Sequence, residues 1–150
     1  MLSRRSALGL LAASPVAFSA LPAISQTAPV FSENELALRG ADPVAYFTES
    51  THRIGSAQNA VMWNGTTWRF ASAENRDAFA ADPEAYAPQY GGYCAFAMSR
   101  GYIAPTVPEA WTIFDNRLYL NFSLSVRTQW ARDIPGNIAL ANQYWPDILA

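Results

Sequence analysis

Two stretches of this chain alternate apolar and polar residues around a turn-forming dipeptide. Val61-Met62-Trp63 and Thr66 to Phe70 flank Asn64-Gly65, while Trp111-Thr112-Ile113-Phe114 and Arg117 to Phe122 flank Asp115-Asn116. A period of two is the strand pattern, and Asn-Gly accepts the positive φ of a type I′ turn, so each stretch predicts a β-hairpin. Asp-Asn is the weaker form of the same signal. Alternation directs Trp111, Ile113, Leu118 and Leu120 toward a core. Between the hairpins the pattern turns helical. Ser72 caps a segment through Phe79, with Glu74 and Asp77 in its early turns where the helix dipole favours them. Asp42-Pro43 and Asp82-Pro83 each join a capping residue to a proline at the first helical position. Residues 123–132 and 135–145 read as amphipathic helices, the second capped by Asp133. Leu36 to Leu38 form a short strand ended by Arg39-Gly40, residues 26–35 a polar unstructured lead-in, and residues 48–58 a surface loop. Local hairpins with interleaved helices predict an α+β fold: a small single domain in which two β-hairpins form an antiparallel sheet, packed by short helices and a C-terminal helical segment.

The N-terminus follows different rules. Arg4-Arg5 stands directly before an apolar run from Gly9 to Ala23 broken only by Ser and Pro, and small residues follow at Ala23-Ile24-Ser25. This is a charged n-region, an apolar h-region and a cleavable exit, with the paired arginines of the twin-arginine export route. Cleavage is expected near Ser25, with Ser19 as the competing site. Pro15 and Pro22 interrupt a run shorter than the roughly 20 apolar residues a membrane span needs, so no span is expected in the mature protein. Residues 1–25 are thus assigned to the leader, 26–35 to the lead-in and 36–150 to the domain. The expected location is the periplasm.

Charge removes one class of partner. The chain has 10 basic residues, all Arg, against 12 acidic; without Arg4 and Arg5 the balance is 8 to 12, a formal charge near −4. Such a domain offers no cationic face to nucleic acid or anionic lipid. Its single cysteine, Cys94, cannot form an internal disulfide, so the core must hold without one.

Motifs for phosphate loops, nucleophile elbows and zinc sites are missing from the sequence. One constellation stands out: Tyr90-Gly91-Gly92-Tyr93-Cys94-Ala95-Phe96-Ala97-Met98, with His52 as the chain's only imidazole. At helical spacing Cys94 and Met98 share one face. A thiolate, a thioether and an imidazole together suit a soft ion such as Cu(I). The competing expectation makes Cys94 and Met98 core residues, since both pack readily as apolar side chains, and leaves His52 in solvent. A third, weaker one makes Cys94 a nucleophile activated by His52.

Gly40-Ala41-Asp42-Pro43-Val44-Ala45-Tyr46-Phe47 and the run from Trp63-Asn64-Gly65 through Trp68-Arg69-Phe70-Ala71-Ser72 resemble the YHS domain family. Glu74-Asn75-Arg76, Asp82-Pro83-Glu84-Ala85-Tyr86, Pro88 to Ala95, Trp111-Thr112-Ile113 and Leu118-Tyr119-Leu120-Asn121 extend the likeness over most of residues 37–122. The chain is similar to the longer, exported branch of that family. The resemblance implies kinship with short modules found beside copper pumps and in multicomponent oxygenases. Those hold a heavy metal through one cysteine after Asp-Pro-Val and a Cys-x-x-x-Cys pair after the aromatic hairpin. The matching positions here are Ala45, Ala71 and Asn75, so all three thiols are absent. What the resemblance leaves is an exported, non-enzymatic binding module. Its expected cargo is copper or another soft ion at Cys94, Met98 and His52; the alternative is a metal-free scaffold or partner-binding domain.

Overall fold

The computed structural model of the protein describes residues 12–17, 19–21 and 26–150. Arg4-Arg5 and the exit Ala23-Ile24-Ser25 lie outside the described residues. Residues 12–17 and 19–21 are exposed and carry no regular secondary structure. Among the described residues no helix is long and apolar enough to cross a membrane.

The polar stretch 26–35, expected as an unstructured lead-in, is instead tied into the fold. The Tyr93 hydroxyl donates to the Ala28 carbonyl at 2.8 Å, and the Phe31 N–H donates to the Gly91 carbonyl at 2.8 Å. Val30 is buried. Ser32–Glu33 (β1) then pairs antiparallel with Leu36–Ala37 (β2). The anchors are mostly backbone groups with only two apolar side chains among them, too few to register as a hydrophobic period.

After a tight turn at Leu38–Gly40 the chain enters α1 (Pro43–Thr48). The first hairpin forms as its sequence predicts, with β3 (Ser56–Trp63) and β4 (Thr66–Phe70) antiparallel. Asn64 and Gly65 hold φ of +49° and +82°, the type I′ signature. β3 starts at Ser56 and carries a register shift between Ser56 and Ala60, so the loop expected over 48–58 is shorter. β2 runs parallel to β4 through Leu36 and Thr67, giving the order β1-β2-β4-β3.

Next come α2 (Ala73–Ala81), capped by Ser72 Oγ on the Asn75 N–H at 3.1 Å, and α3 (Pro83–Tyr86). α4 (Ala95–Ser99) leads to the second hairpin, β5 (Trp111–Phe114) and β6 (Arg117–Leu120). α5 (Leu124–Trp130) is capped by Ser123, and α6 (Ile134–Ala141) by Asp133. α6 stops at Ala141, short of the expected Trp145. The fold is α+β, a small domain of short helices around two sheets.

The hairpins do not share a sheet; β5 and β6 form a separate two-stranded one. Alternation identifies strands and their inner faces, but not which strands exchange hydrogen bonds. What joins the two sheets is the core. Leu118 and Leu120 lie in a cluster with Leu38, Val44, Tyr46, Trp68, Phe70 and Phe79, against which Trp111 and Ile113 pack. Tyr119, between the two leucines, belongs to a second cluster with Tyr90, Tyr93, Met98 and Trp130. A strand sends successive side chains to opposite faces, so β6 is the wall between two cores and is buried on both sides.

Asp42 organises the first core. It is completely buried, and its two oxygens accept four N–H groups. Oδ1 takes those of Val44 at 2.8 Å and Ala45 at 3.3 Å, starting α1. Oδ2 takes the Ala71 N–H and the Asn75 side-chain amide, both at 2.8 Å. One side chain therefore joins α1, the exit of β4 and α2. Removing it would strand buried donors from three segments, at about 1–3 kcal/mol for each group left unpaired. Asp42→Ala is expected to cost about 3 kcal/mol or more in urea denaturation. Asp42→Asn, which keeps one acceptor oxygen, should fall between. An unchanged midpoint in Asp42→Ala would refute this role.

Buried phenols set the alkaline limit. Burial pushes the hydroxyls of Tyr46, Tyr90, Tyr93 and Tyr119 above their ordinary value, most strongly for Tyr46 and Tyr90. The folded state therefore holds these protons more tightly than the unfolded chain. Their contribution is complete below the ordinary tyrosine value of about 10 and is lost as pH rises through the folded values. Stability should fall above about pH 10, and Tyr46→Phe should flatten part of that fall; equal slopes in the two proteins would contradict it.

Candidate functional site

The distinctive motif begins with three successive left-handed residues. Tyr90, Gly91 and Gly92 have φ of +58°, +61° and +83°. Both glycines are required by close approach as well as by φ. A Cβ on Gly91 would collide with the Pro29 carbonyl, and one on Gly92 would lie 2.6 Å from Leu38 Cδ2. The motif thus presses the N-terminal strap and the first core against each other before the chain turns into α4.

Cys94 is the N-cap of α4 and is 1% exposed. Its Sγ accepts the N–H groups of Ala97 at 3.5 Å and Phe122 at 3.3 Å. The thiol faces Asn121 Oδ1 at 3.5 Å, and that oxygen also accepts the Phe96 N–H at 3.1 Å. The Cys94 N–H donates to the Ala104 carbonyl at 3.0 Å. A single sulfur therefore fastens the start of α4 to the chain leaving β6. Sequence reasoning missed Asn121, whose buried amide supports this corner; nothing local distinguishes it from a surface asparagine.

Met98 follows at helical spacing, its N–H donating to the Cys94 carbonyl at 2.9 Å. Its side chain is wholly buried in the second aromatic cluster. His52 is exposed in the loop between α1 and β3, where its carbonyl accepts the Thr51 hydroxyl. Met98 lies within α4 and Cys94 caps its start, and no described hydrogen bond or packing cluster links His52 to either. Among the described residues no three or more His, Cys, Asp or Glu side chains are grouped to hold a metal ion. Around the Cys94 sulfur stand the N–H groups of Ala97 and Phe122 and the Asn121 amide. A nucleophilic role would need an open cleft, and Cys94 is buried.

Ala45 on one side and Ala71 and Asn75 on the other, 26 or more residues along the chain, all hydrogen-bond to Asp42, two through backbone N–H groups and one through its side chain. A carboxylate, with the donors it gathers, occupies the place where these three positions meet.

The widest assembly of chemically useful side chains lies elsewhere. A groove of about 370 Å³ is built from five separate stretches. Hairpin one contributes Trp63 and Asn64, the loop after α3 contributes Gln89 and Tyr90, β6 contributes Arg117, the C-terminus contributes Trp145, and the N-terminal strap contributes Pro29. Glu84 on α3 stands at its rim. Arg117 Nη1 donates to Gln89 Oε1 at 3.3 Å, and among the described residues neither Arg117 nor Glu84 is in an ion pair. The Tyr90 hydroxyl, held by Asn142 at 3.0 Å, fixes the floor. A second depression of about 520 Å³ between α4, α5 and α6 offers Arg100 and Arg132, but its one ring, Phe96, lies beneath Arg100 at 4.7 Å. The first groove is the better site: its aromatic and polar groups converge from across the whole chain. Plentiful Trp and Tyr and the glycine pair were its only signals in the sequence.

No protein-family model matches the chain, and no curated protein or solved structure is significantly similar to it.

The Cys94 corner makes a measurable claim. A thiol enclosed in this way should resist a disulfide reagent in the native protein and titrate as one group per chain after unfolding. Cys94→Ser places a shorter oxygen among donors spaced for sulfur and should cost about 1–3 kcal/mol. Rapid native labelling, or a neutral serine variant, would show that the corner is open.

Proposed function

We propose that the protein is an exported YHS-type binding module that works without a resident metal: Cys94 is a structural staple, and the aromatic groove is the binding face. The observation that carries this reading is the environment of the sulfur. It accepts two backbone N–H groups, faces an amide and is nearly inaccessible, whereas a soft ion needs several polarisable donors around it. The family assignment is supported by the meeting of Ala45, Ala71 and Asn75 at Asp42, which is how a shared ligand site would leave its positions after losing its thiols. Export rests on Arg4-Arg5 and the apolar run behind them. No catalytic role is assigned: Cys94 is buried.

The rival reading is Cu(I) held by Cys94 with Met98. Its one favourable observation is that Cys94 caps α4 and Met98 follows four residues later within it, its N–H donating to the Cys94 carbonyl. Titration against a Cu(I) chelator separates the two. The metal-free module should fail to compete, and Cys94→Ser should behave as wild type in that assay while losing stability. Tight binding that vanishes in Cys94→Ser would overturn the reading. For export, replacing Arg4 and Arg5 with Lys should leave uncleaved precursor in the cytoplasm; normal periplasmic accumulation would remove the twin-arginine assignment.

A further inference from the structure

We infer that the groove takes a neutral polyhydroxylated chain, an oligosaccharide, laid between Trp63 and Trp145. This rests on the reading of the groove as the binding face and names its ligand class. Both indoles line the groove and are half-buried: Trp63 packs on Trp68 and Phe79, and Trp145 packs on Tyr90 and Tyr93, so each is held rigidly. A rigid aromatic surface suits the apolar C–H face of a sugar ring, which stacks without needing an enclosed pocket.

The polar inventory between the rings fits hydroxyl groups. Arg117 supplies donors only, Glu84 acceptors only, and Asn64 and Gln89 both. A hydroxyl both donates and accepts, so a mixed set satisfies it, whereas an anion or a cation would leave half the set opposed. The formal charges of the groove's two charged lining residues, Arg117 and Glu84, cancel. Two neighbouring depressions share lining residues with the groove, one through Asn64 with Gly65 and Thr66, the other through Arg117 with Asn116, so there is room beside it for further sugar units.

An extended peptide is the other candidate occupant. It would draw on backbone groups for a ladder or on an apolar trough for a proline helix. Three of the lining residues, Pro29, Pro88 and Pro146, have no N–H to donate to a ladder, and a proline helix, which docks on aromatic-lined grooves, is the competing arm of the test.

Calorimetric titration of the full processed protein with cellotetraose, chitotetraose and maltotetraose tests the inference, with a decaproline peptide as the competing arm. At least one tetrasaccharide should bind at or below millimolar concentration and perturb tryptophan fluorescence. Trp145→Ala should weaken it about tenfold or more, equivalent to about 1.4 kcal/mol. Trp145 also packs in the second core, so the exposed Arg117→Ala provides a variant that keeps the fold, with a loss of about fivefold expected. Arg53→Ala, on the distant α1–β3 loop, should leave affinity unchanged. Failure of all three sugars at roughly 10 mM, binding insensitive to Arg117→Ala, or binding of decaproline alone would overturn the inference. None of these outcomes touches the metal-free reading, which the Cu(I) titration decides separately.

Discussion

Three segments of the first core are arranged around one carboxyl group that, among the described residues, is in no ion pair. Asp42 is removed from water among apolar side chains, a position that is costly for any charged or polar group unless its hydrogen bonds are replaced. Four N–H groups from α1, the end of β4 and α2 replace them. Because the donors come from three segments, each segment's path is set by the need to reach the same two oxygens. The Asp-Pro start of α1 is thus more than a local cap. The Asp42 N–H, donating to the Arg53 carbonyl at 2.8 Å, adds the loop before β3 to the same knot.

The second core depends on close approach rather than on a buried charge. Gly91 and Gly92 let the strap at Pro29 and the side chain of Leu38 come within contact of the main chain, and the strap in turn is fixed by Tyr93 and Phe31. Met98, Tyr119 and Trp130 fill the space behind. β6 ties this cluster to the first, because consecutive residues of one strand serve both. Cys94 closes the corner where α4 meets the exit of that strand, a task suited to a small, weakly polar group that can accept N–H bonds in a tight apolar setting.

These two constraints explain where function can reside. The residues with the most distinctive chemistry by type, Cys94 and Met98, are committed to packing and to hydrogen bonds within the fold. The groove brings into convergent positions two indoles, two amides, one guanidinium and one carboxyl group. The groove's floor is the left-handed turn at Tyr90. Buried left-handed backbone at a residue other than glycine costs free energy and persists where the surroundings hold it. Here the same turn shapes the candidate binding face and seals the second core.

Local patterns determined much of the fold on their own. Asn64-Gly65 and Asp115-Asn116 turn where a two-residue loop with positive φ is needed, and Ser72, Ser123, Asp42 and Asp133 cap the helices that follow them. In each case the physics lies within a few residues of the chain. Leu118 and Leu120 reach the core as their alternation requires. Tertiary structure decided the rest. It put the two hairpins in separate sheets, drew a polar N-terminal stretch into the domain, stopped α6 at Ala141 and left His52 exposed in the loop before β3. It also brought Trp63, Arg117 and Trp145 to one groove and Ala45, Ala71 and Asn75 to one carboxylate. Strand partners, close backbone contacts and convergent side chains depend on distances between segments remote in sequence, and no local period records those distances.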